Sequence, residues 1–133
     1  MRFDLVNYLF RFIGSRYQWG AEGPYNSGFD CSGLVLEGLR SIGKWGVGDA
    51  SSQMIYNHFA KTDISSSVKA DIGHILFFGK NKESITHIGI GLNNYQYIEA
   101  GGGGSKTVDK GMVRIRPFSW RKDLVAVIDI FKE

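Results

Sequence analysis

The sequence has little cysteine, little net charge and no long apolar run. Its 133 residues include one cysteine, Cys31. A single cysteine excludes an internal disulfide and a cysteine-rich zinc site. The net charge of +3 fits weak attraction to an anionic surface, but it is not the signature of a nucleic-acid-binding protein.

No apolar run is long enough to span a bilayer, so we expect no membrane span. Near the N-terminus, Asp4, Asn7 and Arg11 interrupt the apolar residues, and no secretion signal with its cleavage site is recognisable. We therefore expect a protein made in the cytoplasm. If it acts outside the cell, it needs another delivery route, for which a phage tail or another delivery partner is one hypothesis.

Apolar and aromatic residues are plentiful. Hydrophobic residues make up 43% of the chain, with nine Phe, six Tyr and three Trp. This composition is typical of a globular protein, and the length suits one domain, which we take as residues 1–133.

In the first half of the chain, apolar residues recur at helical spacing. It predicts helices over 3–13 and 31–41, and a third that ends at Phe59 and is capped by Asp49, Ser51 or Ser52. For the first helix, insertion into a membrane surface is the alternative to packing on the core.

Short β-branched and aromatic runs follow. They predict strands near 74–78, 87–92, 95–100, 112–116 and 124–131. Asn93-Asn94 is expected to form a tight hairpin turn, because Asn tolerates left-handed backbone angles. The glycine loop 101–105 lacks the spacing of a nucleotide-binding loop. Helices followed by strands predict an α+β fold with an antiparallel sheet.

The stretch Phe29-Asp30-Cys31-Ser32-Gly33-Leu34-Val35 places Cys31 at the start of the second helix. The N–H groups of a helix N-terminus favour negative charge, and the thiolate is the nucleophilic form of cysteine. The alternative interpretation is a small buried hydrophobic residue.

A thiol nucleophile needs a base, and three histidines are present. We interpret His58 as a surface or packing residue, and His74 begins a strand. His87 opens a strand whose glycines, Gly89 and Gly91, let another backbone or a substrate approach. Across the predicted turn, Glu99 would lie near His87 and could orient the imidazole, unless it is only a surface carboxylate.

These residues together resemble the NlpC-type cell-wall cysteine peptidases, which have a papain-like fold. The matching segments follow the family order: Tyr17-Gln18-Trp19-Gly20, Phe29 to Val35, Ser52-Gln53, Gly73-His74-Ile75-Leu76-Phe77-Phe78, His87-Ile88-Gly89-Ile90 and Tyr97-Ile98-Glu99-Ala100.

The resemblance implies a role for each candidate. Cys31 is the nucleophile and His87 the general base and acid, with Glu99 as the third catalytic residue. Tyr17 helps to hold the oxyanion, together with the backbone N–H of Cys31. Asp30 and Ser32 contact the polar end of a peptide substrate. A helix cap at Asp30, a first-turn residue at Ser32 and aromatic packing at Tyr17 are the alternatives.

Three positions depart from the family pattern. The third catalytic residue is usually His, Asn or Gln, whereas here it is Glu99. A carboxylate would hold an imidazolium more strongly than an amide does. The alternative is that the carboxylate marks a family member that binds its substrate without cleaving it efficiently. His74 replaces the usual Asp, and we expect this change to affect only the start of the sheet. Ala21 stands where a second glycine is common.

The resemblance implies a papain-like α+β domain that cleaves amide bonds in peptidoglycan stem peptides and acts at the cell wall. An amidase or acyl transferase that uses the same three residues is one alternative, and a non-catalytic wall-binding pseudoenzyme is another. No metal or organic cofactor and no nucleic acid is implied.

Overall fold

The computed structural model describes residues 1–17, 29–46, 48–66, 69–101 and 111–132. Three α-helices precede five strands within these ranges. They are α1 (Arg2–Phe10), α2 (Cys31–Ser41), α3 (Ser52–Phe59), β1 (Ile75–Gly79), β2 (Ile85–Gly91), β3 (Gln96–Gly101), β4 (Met112–Pro117) and β5 (Leu124–Ile128). Each predicted element is found, although α1 ends three residues early and β5 ends at Ile128.

Helix α1 covers the core with one face. Leu5, Val6 and Leu9 are buried, whereas Phe3 and Phe10 are exposed. The one-sided pattern is that of a helix packed on a core. No helix among the described residues combines the length and the apolar character that crossing a bilayer requires.

Helix α2 starts at a well-formed cap and lies deep in the molecule. The Asp30 side chain accepts a hydrogen bond from the Gly33 N–H at 2.6 Å, so Asp30 does form the helix cap that was the alternative to a substrate contact. A Cβ at Gly38 would lie 2.7 Å from the Leu5 side chain. The small residue therefore lets α1 approach α2 closely.

Helix α3 is joined to β2 by a side chain. Ser51 caps the helix by accepting from the Met54 N–H at 3.2 Å. Gln53 accepts a hydrogen bond from the Ile85 N–H at 2.8 Å and donates to the Lys82 carbonyl at 2.9 Å. These bonds fix the start of α3 against the start of β2.

The five strands form one antiparallel sheet in the order β4-β3-β2-β1-β5. The larger core cluster lies between the helices and one sheet face, where Phe77, Ile88 and Ile98 are fully buried. The other face carries a smaller cluster that includes Phe78 and Tyr97. The predicted α+β fold with helices packed on an antiparallel sheet is confirmed.

The turn between β2 and β3 differs from the prediction in its mechanism. No described residue other than glycine has a positive φ, so neither Asn93 nor Asn94 is left-handed. Instead, the Asn93 side chain accepts hydrogen bonds from the backbone N–H groups of Tyr95 and Gln96 at 2.8 and 2.7 Å. The loop is longer than a two-residue turn, because a side-chain acceptor organises it.

The two glycines of β2 give space to protein atoms rather than to a substrate. A Cβ at Gly89 would overlap the Tyr97 ring, and one at Gly91 would lie 2.5 Å from the Asp71 carbonyl oxygen. The bare strand face therefore admits an aromatic ring from β3 and a neighbouring segment of backbone.

Replacing Gly89 by Ala should destabilise the fold by about 1–3 kcal/mol, because the added methyl group would overlap the buried Tyr97 ring. Urea unfolding measures the free energy of unfolding of both proteins. Gly46→Ala is a matched control, since a Cβ there meets no atom within 4 Å. Equal destabilisation by the two substitutions would contradict the close packing of Tyr97.

Candidate active site

Cys31 is the first residue of α2 and is partly exposed. The helix begins there because the Asp30 carboxylate satisfies the Gly33 N–H group. The sulfur therefore lies at the positive end of the helix dipole.

His87 lies on β2, paired with Phe78 on β1, and is 7% exposed. Its Nε2 is 2.7 Å from Oε1 of Glu99. This bond fixes the ring orientation and leaves Nδ1 as the nitrogen available to Cys31. Burial by itself would lower the pKa of His87, but the interactions of the ring with Cys31 and Glu99 together raise it above its ordinary value.

Glu99 reaches His87 diagonally across the sheet. The pairing of Ile90 with Ile98 puts Glu99 opposite Gly89, two residues along the same face from His87. An offset of two residues keeps both side chains on one face, and Gly89 leaves room beside them for the Tyr97 ring.

Two further residues hold the Glu99 carboxylate, and neither was predicted from the sequence. The Tyr97 hydroxyl donates to Oε1, and Nε of Arg114 donates to Oε2 at 2.9 Å. Burial alone would raise the pKa of Glu99, but the hydrogen bonds from His87, Tyr97 and Arg114 outweigh it and lower the pKa to about 2. The buried side chain is therefore a carboxylate throughout the neutral range.

The phenol of Tyr17 faces the same region and is 5% exposed. A backbone bridge pairs Tyr17 with Phe29, so the residue lies next to the start of α2. Burial, followed by the charges of Cys31 and Asp30, raises the pKa of Tyr17 to about 12. The hydroxyl stays protonated at neutral pH and is able to donate a hydrogen bond.

A cavity of about 360 Å³ brings most of the predicted site residues together. Glu99 lies behind His87 and does not line it. The lining residues are Tyr17, Asp30, Cys31, Ser32, Asp49, Ala50, Ser51, Ser52, Ile85, Thr86 and His87.

The hydroxyl group of Ser52 lies beside the thiol of Cys31. Its Oγ lies 3.8 Å from Sγ of Cys31, and the residue is 6% exposed at the start of α3. The sequence had indicated Ser52 only as a cap candidate and as part of a family segment, because closeness to Cys31 depends on how α3 packs against α2.

Asp30 and Ser32 both line the cavity and also contact each other. The Ser32 hydroxyl donates to Oδ1 of Asp30 at 3.4 Å, the same oxygen that caps α2. Both residues therefore stabilise the segment that presents the thiol. Gln18, Trp19, Gly20 and Ala21 lie outside the described residues, as does the glycine loop after Gly101.

The other two histidines lie elsewhere. His58 is exposed and packs edge-on against Trp45, with 4.8 Å between ring centroids. His74 is buried at the start of the sheet, where Nδ1 accepts from the Asp71 N–H at 3.0 Å and Nε2 lies 3.7 Å from Asp129. Burial lowers the pKa of His74, so a local structural role fits its contacts.

Comparisons with known proteins show which family the chain belongs to. Murein DD-endopeptidase MepH of Escherichia coli (strain K12) is 29% identical over 96 residues, covering 71% of this chain and 34% of MepH. Bifunctional muramidase/DL-endopeptidase CwlT of Bacillus subtilis (strain 168) is 32% identical over 118 residues, covering 87% of this chain and 32% of CwlT. The chain thus spans about a third of the length of these relatives.

A solved structure shares the fold over almost the whole chain. The NlpC/p60 domain of peptidoglycan hydrolase SagA superimposes with a TM-score of 0.75 at 25% identity, covering 98% of this chain and 99% of that domain. The NlpC/P60 family model matches residues 14–128, which include every candidate site residue. The chain therefore belongs to the NlpC/P60 family.

Proposed function

We propose that this protein is a thiol hydrolase that cleaves amide bonds in the stem peptides of bacterial peptidoglycan. The observation that carries the proposal is the cavity shared by Cys31 and His87, with the ring of His87 held 2.7 Å from a buried carboxylate. Family membership and the endopeptidase names of MepH and CwlT support the substrate class.

In the proposed reaction, the sulfur of Cys31 attacks the carbonyl carbon of an amide, and His87 takes the thiol proton. The tetrahedral intermediate collapses to a thioester when His87 gives that proton to the departing amine. A water molecule then attacks the thioester, again with His87 as base. The carboxylic acid product leaves, and the thiol is restored.

Tyr17 is proposed to stabilise the oxyanion of the tetrahedral intermediate, with the backbone N–H of Cys31 as a second donor. Its raised pKa supports the role, because a protonated phenol in a water-poor cleft is an effective donor to developing negative charge. A preorganised donor of this kind contributes about 10²–10³ in rate.

Glu99 is proposed as the third member of a Cys-His-Glu triad. The carboxylate keeps the proton of the neutral ring on Nε2 and stabilises the imidazolium that forms during attack. Asp30 and Ser32 are proposed to contact the polar end of the peptide, because both line the cavity next to the thiol.

We further propose that residues 1–133 form a single domain of this kind and that it acts at the cell wall. The names of the relatives support the place of action. Delivery by a phage tail or another partner remains a separate hypothesis that gene neighbourhood would test.

Cys31→Ala should abolish the release of peptide fragments from purified peptidoglycan, because no other residue supplies the nucleophile. Mass spectrometry of the soluble fragments measures release and identifies the bond. His87→Ala should reduce the rate by a factor of about 10² or more, whereas His58→Ala, which alters an exposed ring, should leave it unchanged. Equal release by wild type and Cys31→Ala would refute catalysis by this thiol.

Activity on defined stem peptides should exceed activity on lipid esters, since the proposal assigns the site to wall peptides. The reverse order would favour an acyl transferase. Absence of turnover on every substrate, with slow alkylation of Cys31 that needs the high pH of an ordinary thiol, would favour a wall-binding pseudoenzyme.

Glu99→Gln should lower kcat/KM by about tenfold, because a neutral amide holds an imidazolium less strongly than a carboxylate does. The pH profile should change in a defined direction. Glu99 raises the pKa of His87, so its neutralisation lowers that pKa, and the acid limb, below which the protonated ring cannot accept the thiol proton, should move to lower pH. A limb that stays in place or moves to higher pH would contradict the role of Glu99.

A further inference from the structure

Glu99 brings a full negative charge into a buried site, and its two oxygens have different partners. Oε1 receives hydrogen bonds from His87 and from the Tyr97 hydroxyl, whereas Oε2 receives one from Arg114. The Glu99 side chain is 3% exposed and the Arg114 side chain 23% exposed. Arg114 therefore forms a shielded ion pair with the carboxylate that orients the candidate base.

The position of Arg114 follows from the register of the sheet. Glu99 on β3 pairs directly with Arg114 on the edge strand β4. Directly paired side chains on one face lie within about 5.5 Å at Cβ, which lets the guanidinium reach the far oxygen without approaching the cavity. Arg114 does not line the cavity, so it would act on the reaction only through Glu99.

A carboxylate without a counter-charge would be poorly suited to this place. A buried carboxylate with no other charge partner stabilises the neighbouring imidazolium strongly. The imidazolium would then give up its proton slowly to the leaving amine, which needs that proton. A residue that acts as both general base and general acid works best when its pKa lies near the working pH. A cation on the opposite oxygen reduces the field that the imidazole experiences.

We propose that Arg114 is a positioning residue that sets the proton affinity of His87 by sharing the charge of Glu99. The proposal rests on the proposed function, since it assumes that His87 is the base. It adds a fourth member to the Cys-His-Glu arrangement, and this member touches neither the nucleophile nor the substrate cavity.

Other charged and titratable groups surround His87, and the experiment must hold them constant. They are Asp30 and Cys31 at the start of α2, Tyr17 beside them, Asp49 ahead of α3, Tyr97 and Glu99 on β3, and Arg121 and Asp123 ahead of β5.

Arg121 is the second cation near this network, but it has its own partner. Its Nε and a terminal nitrogen each lie 2.9 Å from a different oxygen of Asp123. Its guanidinium also lies over the Phe78 ring, 5.2 Å from the ring centroid, which is within the range of a cation–π contact. Because the charge of Arg121 is paired, Arg114 is the cation that balances Glu99.

The titration of the His87 ring tests the proposal directly. NMR would follow the ring protons against pH in a Cys31→Ala background, which removes the thiol and needs no substrate; His87→Ala assigns the signal. Arg114→Gln keeps a hydrogen-bond donor but removes the charge. We expect the midpoint of His87 to rise by about half a unit to one unit, after allowance for solvent screening at a partly exposed cation.

Two matched variants separate charge from structure. Arg114→Lys keeps the charge, and we expect its midpoint to stay near that of the parent. Arg116→Gln removes a cation two residues along the same strand, where the guanidinium packs on Trp120 at 4.3 Å, and it should also leave the midpoint unchanged. Urea unfolding verifies that each variant is folded. If Arg114→Gln is not folded, Arg114→Met takes its place.

An Arg114→Gln midpoint equal to that of Arg116→Gln, or below it, would overturn the proposal. A fall would mean that Arg114 only anchors the carboxylate. The readout does not depend on hydrolysis, so a failure of the proposed function would appear instead as an intact titration shift while the protein that retains Cys31 releases no wall peptides.

Discussion

The hydrogen bond between His87 and Glu99 is the interaction around which the site is arranged. It buries two ionisable groups at 2.7 Å, and a buried charge is tolerated only where further hydrogen bonds satisfy it. The sheet provides these from two strands, through the Tyr97 hydroxyl and the Arg114 guanidinium. The pleat and the register bring the donors to one carboxylate, and the absence of a side chain at Gly89 leaves room for the Tyr97 ring.

The proposed nucleophile, Cys31, comes from the helical half of the molecule. Cys31 lies at the start of a helix whose apolar face packs on the sheet, so the position of the thiol relative to His87 depends on the main core. Gly38 lets α1 approach α2, and Gln53 ties α3 to β2. The cavity is formed where these contacts bring the starts of α2, α3 and β2 together, which links core packing to the geometry of the site.

Much of the fold could be predicted because the local signals are strong. The cap at Asp30, the apolar spacing of α2 and the short β-branched and aromatic runs of the strands each depend on neighbouring residues. The predicted mechanism of the turn between β2 and β3 was wrong, because Asn93 organises this turn by accepting hydrogen bonds rather than by adopting a left-handed backbone. The close approach expected at Gly89 and Gly91 is found, and protein atoms, the Tyr97 ring and the backbone of Asp71, make it.

Residue types and their spacing along the chain were enough to give the order of the elements, the candidates Cys31, His87 and Glu99, and the family resemblance. The contact of Arg114 with Glu99 and that of Ser52 with Cys31 appear only in the folded molecule. Arg114 is fifteen residues from Glu99 along the chain, with residues 102–110 between their strands, and Ser52 is twenty-one from Cys31. Strand register and helix packing, which no local pattern encodes, set both contacts.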